Sequence, residues 1–174
     1  MKRSWLFAPA LLVGVVALVA IGGAAAKKPA LSATPVFKLN LKPSQEVPPI
    51  KGLKADARGS VTFDLERSSA GVITSGEVIF YFNYSFPGPV TITGLHIHQA
   101  PKGTNAPVLV SSGVAPFTDA DGQGNITTVV TGTAPATLQA ILDNPRNYYV
   151  NLHTTVNPGG AMRDQMHNPK KGDD

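Results

Sequence analysis

Val78, Phe80, Phe82, Tyr84 and Phe86 put a bulky apolar side chain at every second position of one continuous stretch. On a helix these residues would scatter around the axis, but on a strand they all fall on one face. A strand with so apolar a face must bury it against a second layer. The same period recurs along the chain. Phe37, Leu39 and Leu41 alternate with Lys38, Asn40 and Lys42. Val61, Phe63 and Leu65 alternate with Thr62 and Asp64. Val90 and Ile92 are followed, beyond Gly94, by Leu95 and Ile97. Val108 to Val110 is a short apolar run, and Ile126, Thr128 and Val130 alternate in the next segment. Tyr148, Val150 and Leu152 alternate with Tyr149, Asn151 and His153, and a last strand is predicted from Ala161 to Met166. That makes about eight strands. The 17 glycines and 15 prolines that punctuate the chain favour a sandwich or barrel over a helical bundle.

One segment departs from period two. From Thr133 to Asn144, Pro135 stands near a helix start and Leu138, Ile141 and Leu142 follow at helical spacing. A single short helix connecting two strands is predicted there. The fold class is therefore all-β with one short connecting helix.

The N-terminus reads as an export signal. Lys2 and Arg3 precede an uncharged, almost wholly apolar run from Trp5 to Ile21. Gly22-Gly23-Ala24-Ala25-Ala26 then supplies small residues, with Ala24 and Ala26 in the positions a signal peptidase accepts. Cleavage is expected after Ala26; the rival is a retained anchor helix, because about 17 residues is the lower edge of a membrane span. The predicted organisation is a signal peptide at 1–26, a flexible lead-in at 27–34, one domain at 35–168 and a disordered tail at 169–174. A secreted or periplasmic location follows, with membrane association only through an uncleaved N-terminal segment.

Removing Lys2 and Arg3 from 15 basic residues leaves 13, against 11 acidic ones, so the mature part is close to neutral. Its basic pairs, Lys27-Lys28 and Lys170-Lys171, lie near the termini, which gives nucleic-acid binding little support. The chain has no cysteine. That excludes disulfides, thiolate metal sites and thiol nucleophiles. There is no nucleophile elbow or phosphate-cradling Gly-Lys motif. Asp119-Ala120-Asp121-Gly122-Gln123-Gly124-Asn125 opens like a calcium loop, but the twelfth position, which needs a bidentate acid, is Val130. A glycine-rich hairpin loop is predicted instead. Ser44-Gln45-Glu46-Val47-Pro48-Pro49 is read as a rigid extended loop.

Chemistry concentrates on the histidines. In His96-Ile97-His98 the two imidazoles are about 7 Å apart along a strand and share a face. Leu95 and Ile97 take the core face, so His96 and His98 take the other. His153 likewise lies opposite Val150 and Leu152. If their strands are neighbours, three imidazoles meet on one outer face, an open site suited to copper, with zinc as the alternative. His167, a carboxylate or water would be the fourth ligand. Ring nitrogens within about 3–4 Å of one another would make ligation at ~2 Å per bond feasible, and a His153 on a distant strand would exclude the site. The plain alternative is three polar residues in local hydrogen bonds. Arg163, after Gly159-Gly160-Ala161-Met162, is either an anion guide beside such a site or a structural arginine holding backbone carbonyls.

The chain resembles the CHRD domain family, named after chordin and frequent in secreted bacterial proteins. The resemblance runs from about Val36 to Met166. It is carried by Gln45-Glu46-Val47-Pro48-Pro49, Ala57-Arg58-Gly59, Leu95-His96-Ile97-His98, Asp121-Gly122-Gln123-Gly124, Tyr149-Val150-Asn151-Leu152-His153-Thr154 and Pro158-Gly159-Gly160-Ala161-Met162-Arg163. Ala161 stands where the family usually has an acid. The resemblance implies an immunoglobulin-like, Greek-key sandwich and little about activity. A second similarity, to copper–zinc superoxide dismutases, lies in the order His96, His98, His153, Arg163; the zinc-loop histidines, the bridging histidine and the disulfide have no counterpart. Two function classes therefore stand side by side. One is an exported metal-binding domain. The other is a non-catalytic module for an extracellular protein or glycan, with structural histidines. Enzyme turnover is left open; if present, it would be a copper-dependent redox activity, since no general base stands out besides the histidines.

Overall fold

The computed structural model describes residues 34–169. The signal peptide expected at 1–26, nearly all of the 27–34 lead-in and most of the 169–174 tail lie outside the described residues. Among the described residues no helix is long and apolar enough to cross a membrane.

Among the described residues nine strands form two antiparallel sheets. The first holds β1 (Val36–Leu41), β2 (Asp56–Arg67), β3 (Ile73–Ser85) and β7 (Gln123–Val130), in that order. The second runs β5 (Val108–Ser111), β4 (Val90–His98), β8 (Tyr149–Thr154), β9 (Met162–Gln165), with β6 (Phe117–Asp119) paired to the start of β4. The expected all-β sandwich is observed, with one strand more than expected. The additional strand, β6, is three residues long, too short to show a period.

The predicted apolar faces meet between the sheets. Phe37, Leu39, Phe63, Val78, Phe80 and Phe82 from the first sheet pack with Ile92, Leu95, Ile97, Val150, Leu152 and Met162 from the second. Helix α1 (Pro135–Asp143) forms where predicted and buries Leu138 and Ile141. Each such side chain contributes roughly 1.5–3 kcal/mol of burial free energy.

The chain changes sheets between β3 and β4, between β6 and β7, and again through α1 between β7 and β8. Asp119-to-Asn125 is thus a turn carrying the chain from one sheet to the other, not the expected hairpin. Asp119 Oδ1 accepts from the backbone N–H groups of Asp121 and Gly122, which fixes its course. The crossings place β4 beside β8, and with them His98 beside His153, although the two are 55 residues apart. At one edge Lys42 and Arg163 exchange backbone hydrogen bonds and join β1 to β9.

Candidate metal centre

The register of β4, β8 and β9 lays out a polar layer on the face of the second sheet turned away from the core. His98 pairs with Tyr149, which pairs with Gln165. His96 pairs with Asn151, which pairs with Arg163. Gly94 pairs with His153. A register shift between Ile92 and Gly94 returns Leu95 and Ile97 to the core face and sends His96 and His98 to the other.

An open outer face was expected; the structure corrects this. His98 is 4 % exposed, His153 8 %, and His96 is half-buried. Two loops fold over the layer. Tyr149 Oη accepts from the Ala106 N–H, and Gln165 Nε2 donates to the Ala100 carbonyl, holding the 99–107 loop down. Asn105 Nδ2 donates to the Val47 carbonyl and ties that loop to the 42–50 segment. The cause is polar satisfaction. Carbonyls of both loops find their donors on the sheet, and the loops replace water over it.

The three rings converge. His96 and His153 have ring centroids 4.8 Å apart, and His98 stacks on Tyr149 at 4.8 Å with planes 6° apart. Gly94 makes room for this: a Cβ there would lie 2.5 Å from His96 Cε1, so the imidazole lies over the glycine. Ring nitrogens of His96, His98 and His153 all lie within 4.8 Å of one another.

Backbone carbonyls fix two of the tautomers. His98 Nδ1 is 2.9 Å from the Ala106 carbonyl, and His153 Nδ1 is 3.0 Å from the Pro158 carbonyl. A carbonyl only accepts, so each Nδ1 carries the proton and each neutral ring has its lone pair on Nε2. These two Nε2 atoms face each other at 3.4 Å. The Nδ1 atom of His96 is buried without a hydrogen-bond partner.

Burial disfavours the charged form of all three imidazoles. Burial lowers the His96 pKa to about 4, assisted by the neighbouring His153 and His98. Burial likewise lowers those of His98 and His153, against the opposing pull of their carbonyl bonds. Neutral imidazole is the form that binds metal. Two bonds of about 2.0 Å span at most about 4 Å, so the His98–His153 pair already fits a shared ion. His96 completes the trio within 4.8 Å, and its Nδ1 is not committed to another bond.

His167 is exposed and lies outside this group. Arg163 is 3 % exposed and bonded to the loops through two of its guanidinium nitrogens. Its Nε donates to the Gln45 carbonyl at 2.7 Å, and its Nη1 to the Thr104 carbonyl at 3.2 Å and Asn105 Oδ1 at 2.9 Å. Its guanidinium covers the Tyr149 ring at 4.6 Å, on the stack that continues to His98. These are contacts of an arginine that fixes loops.

Glu46 was missed as a site residue in the sequence. It follows a 3-10 turn at Pro43–Gln45, and only 5 % of it is exposed. Burial raises its pKa to about 7, opposed by Arg163 and the Asn151 amide. Glu46 Oε1 and Asn151 Oδ1 are both buried with no hydrogen-bond partner. Asn151 could have been found from its parity with His153; nothing in the local sequence brings Glu46 onto the sheet.

No curated protein and no solved structure matches the chain. The family model described as CHRD domain matches residues 37–166, which span both sheets, both covering loops and all three histidines. The chain belongs to the CHRD domain family.

Proposed function

We propose that this protein is an exported domain that holds one metal ion, copper, on His96, His98 and His153. The observation that carries the reading is the pair of Nε2 lone pairs facing each other at 3.4 Å, with each ring's other nitrogen committed to a carbonyl. Two lone pairs in contact repel each other; a cation between them turns that repulsion into two bonds. A donor set of imidazoles with no thiolate favours copper(II) over zinc, because affinity for nitrogen sites rises to copper and then falls. Export rests on the N-terminal sequence, and an oxidising compartment would supply the ion as Cu(II). Storage, delivery or redox chemistry are the roles open to such a site.

Titration of the protein with Cu(II) and with Zn(II), repeated on His98→Ala, tests the proposal. One equivalent of copper should bind the wild type in preference to zinc, and the substitution should weaken binding at least tenfold. Equal binding by both proteins would overturn it.

A further inference from the structure

Three ring nitrogens leave a copper or zinc ion at least one open position. Glu46 Oε1 and Asn151 Oδ1 are both buried and both without a partner. Asn151 is the cross-strand neighbour of His96, and the Asn151 amide in turn lies against the Glu46 carboxyl. Close approach of the 157–160 turn adds to this corner. A Cβ on Gly160 would lie 2.3 Å from Asn151 Nδ2, and only glycine readily takes its φ of 131°. The amide is thereby held in place with its oxygen unbonded.

A buried carboxylate oxygen and a buried amide oxygen, both lacking donors, call for a ligand that brings protons. An anion brings none and would meet two more partial negative charges. The Arg163 charge acts on Glu46 in the opposite sense, but its Nε and Nη1 donate to Gln45, Thr104 and Asn105 and are not free to bond the ligand. We propose that the open position of the metal site takes a neutral, proton-donating ligand, such as water or another small hydroxylic molecule, held by Glu46 Oε1 and Asn151 Oδ1, and that these two oxygens weigh against small anions there. This rests on the three-histidine reading. Glu46 and Asn151 act on the ligand and are not metal ligands themselves.

The test is azide binding to the copper-loaded protein at pH 8, followed by the azide-to-copper charge-transfer band. Glu46→Gln removes the negative charge and adds an N–H donor of similar shape. It should bind azide about tenfold more tightly than the wild type, equivalent to about 1.4 kcal/mol. Asn151→Asp adds a second carboxylate and should weaken azide by a similar factor. Opposite shifts from two neighbouring substitutions are not what general loosening of the site produces, and either folded variant alone gives its own sign. Azide affinities unchanged in both would overturn the proposal, showing that the two oxygens satisfy each other through a proton on Glu46. A wild type that takes up no copper would instead overturn the metal reading itself, and this one with it.

Discussion

Glu46→Gln in the metal-free protein has a stability effect whose size and sign follow from burial. The glutamate is raised from 4.5 to about 7 because ionising it inside the covering loop forfeits hydration. A shift of that size corresponds to roughly 3 kcal/mol at 1.36 kcal/mol per unit. The direction follows from linkage. A carboxyl whose folded pKa lies above its unfolded value binds more protons folded than unfolded between the two. Its contribution is therefore fully present below about 4.5 and is lost as pH rises through about 7. Glutamine has the shape of the protonated acid and no proton to lose. The variant should match the wild type at pH 4 and exceed it at pH 8, by up to roughly 3 kcal/mol. Urea denaturation midpoints at the two pH values, converted with a common slope, measure the difference. A variant no more stable than the wild type at pH 8, or equally more stable at both, would refute the reasoning. Either outcome would mean that Arg163 and Asn151 compensate the buried charge in full.

The Glu46→Gln background also exposes the histidines. Their pKa values are lowered, so the unfolded chain binds more protons, and stability should fall as pH drops from 6.5 to about 4; His96 alone accounts for roughly 2–3 kcal/mol. A urea midpoint flat across that window would contradict the buried, neutral cluster. Gly94→Ala drives a methyl group into the space of the His96 ring; it should leave the fold intact by circular dichroism and lower copper affinity roughly 10–100-fold. Arg163→Lys keeps the charge but loses the fork, leaving loop acceptors unpaired, and should cost roughly 2–4 kcal/mol in chemical denaturation.

Much of the sandwich was legible because period two is a direct consequence of strand geometry. Seven of the stripes named from sequence lie wholly or almost wholly within strands, and the parity change across Gly94 marks the register shift in β4. Residues 117–119 were not legible, since Phe117 is the only large apolar residue there and pairing with β4 is a long-range event. Within the apolar run 108–110, Val108 and Leu109 are exposed, because β5 is an edge strand with only Val110 turned to the core. Parity also placed His96, His98 and His153 on one face. It could not show that the face is covered. That depends on Arg163 and Gln165 capturing carbonyls, and on Tyr149 capturing the Ala106 N–H, from loops far away in sequence, and no local pattern encodes it.

That cover changes what the three histidines can do. On an open face each imidazole would rotate freely, exchange tautomers and titrate near neutrality. Here the Ala106 carbonyl fixes the His98 tautomer, and Ala106 is itself pinned by the Tyr149 hydroxyl. Arg163 holds Thr104 and Asn105 of the same loop with two bonds, and with a third holds Gln45, next to Glu46. One side chain on β9 thus positions both the loop that orients a ring nitrogen and the loop that delivers the buried carboxyl. The loop-fixing role of Arg163 and the chemistry of the histidine group are therefore a single arrangement. A site assembled this way is preorganised: the desolvation and ordering it requires are met by folding, before any ion or ligand arrives.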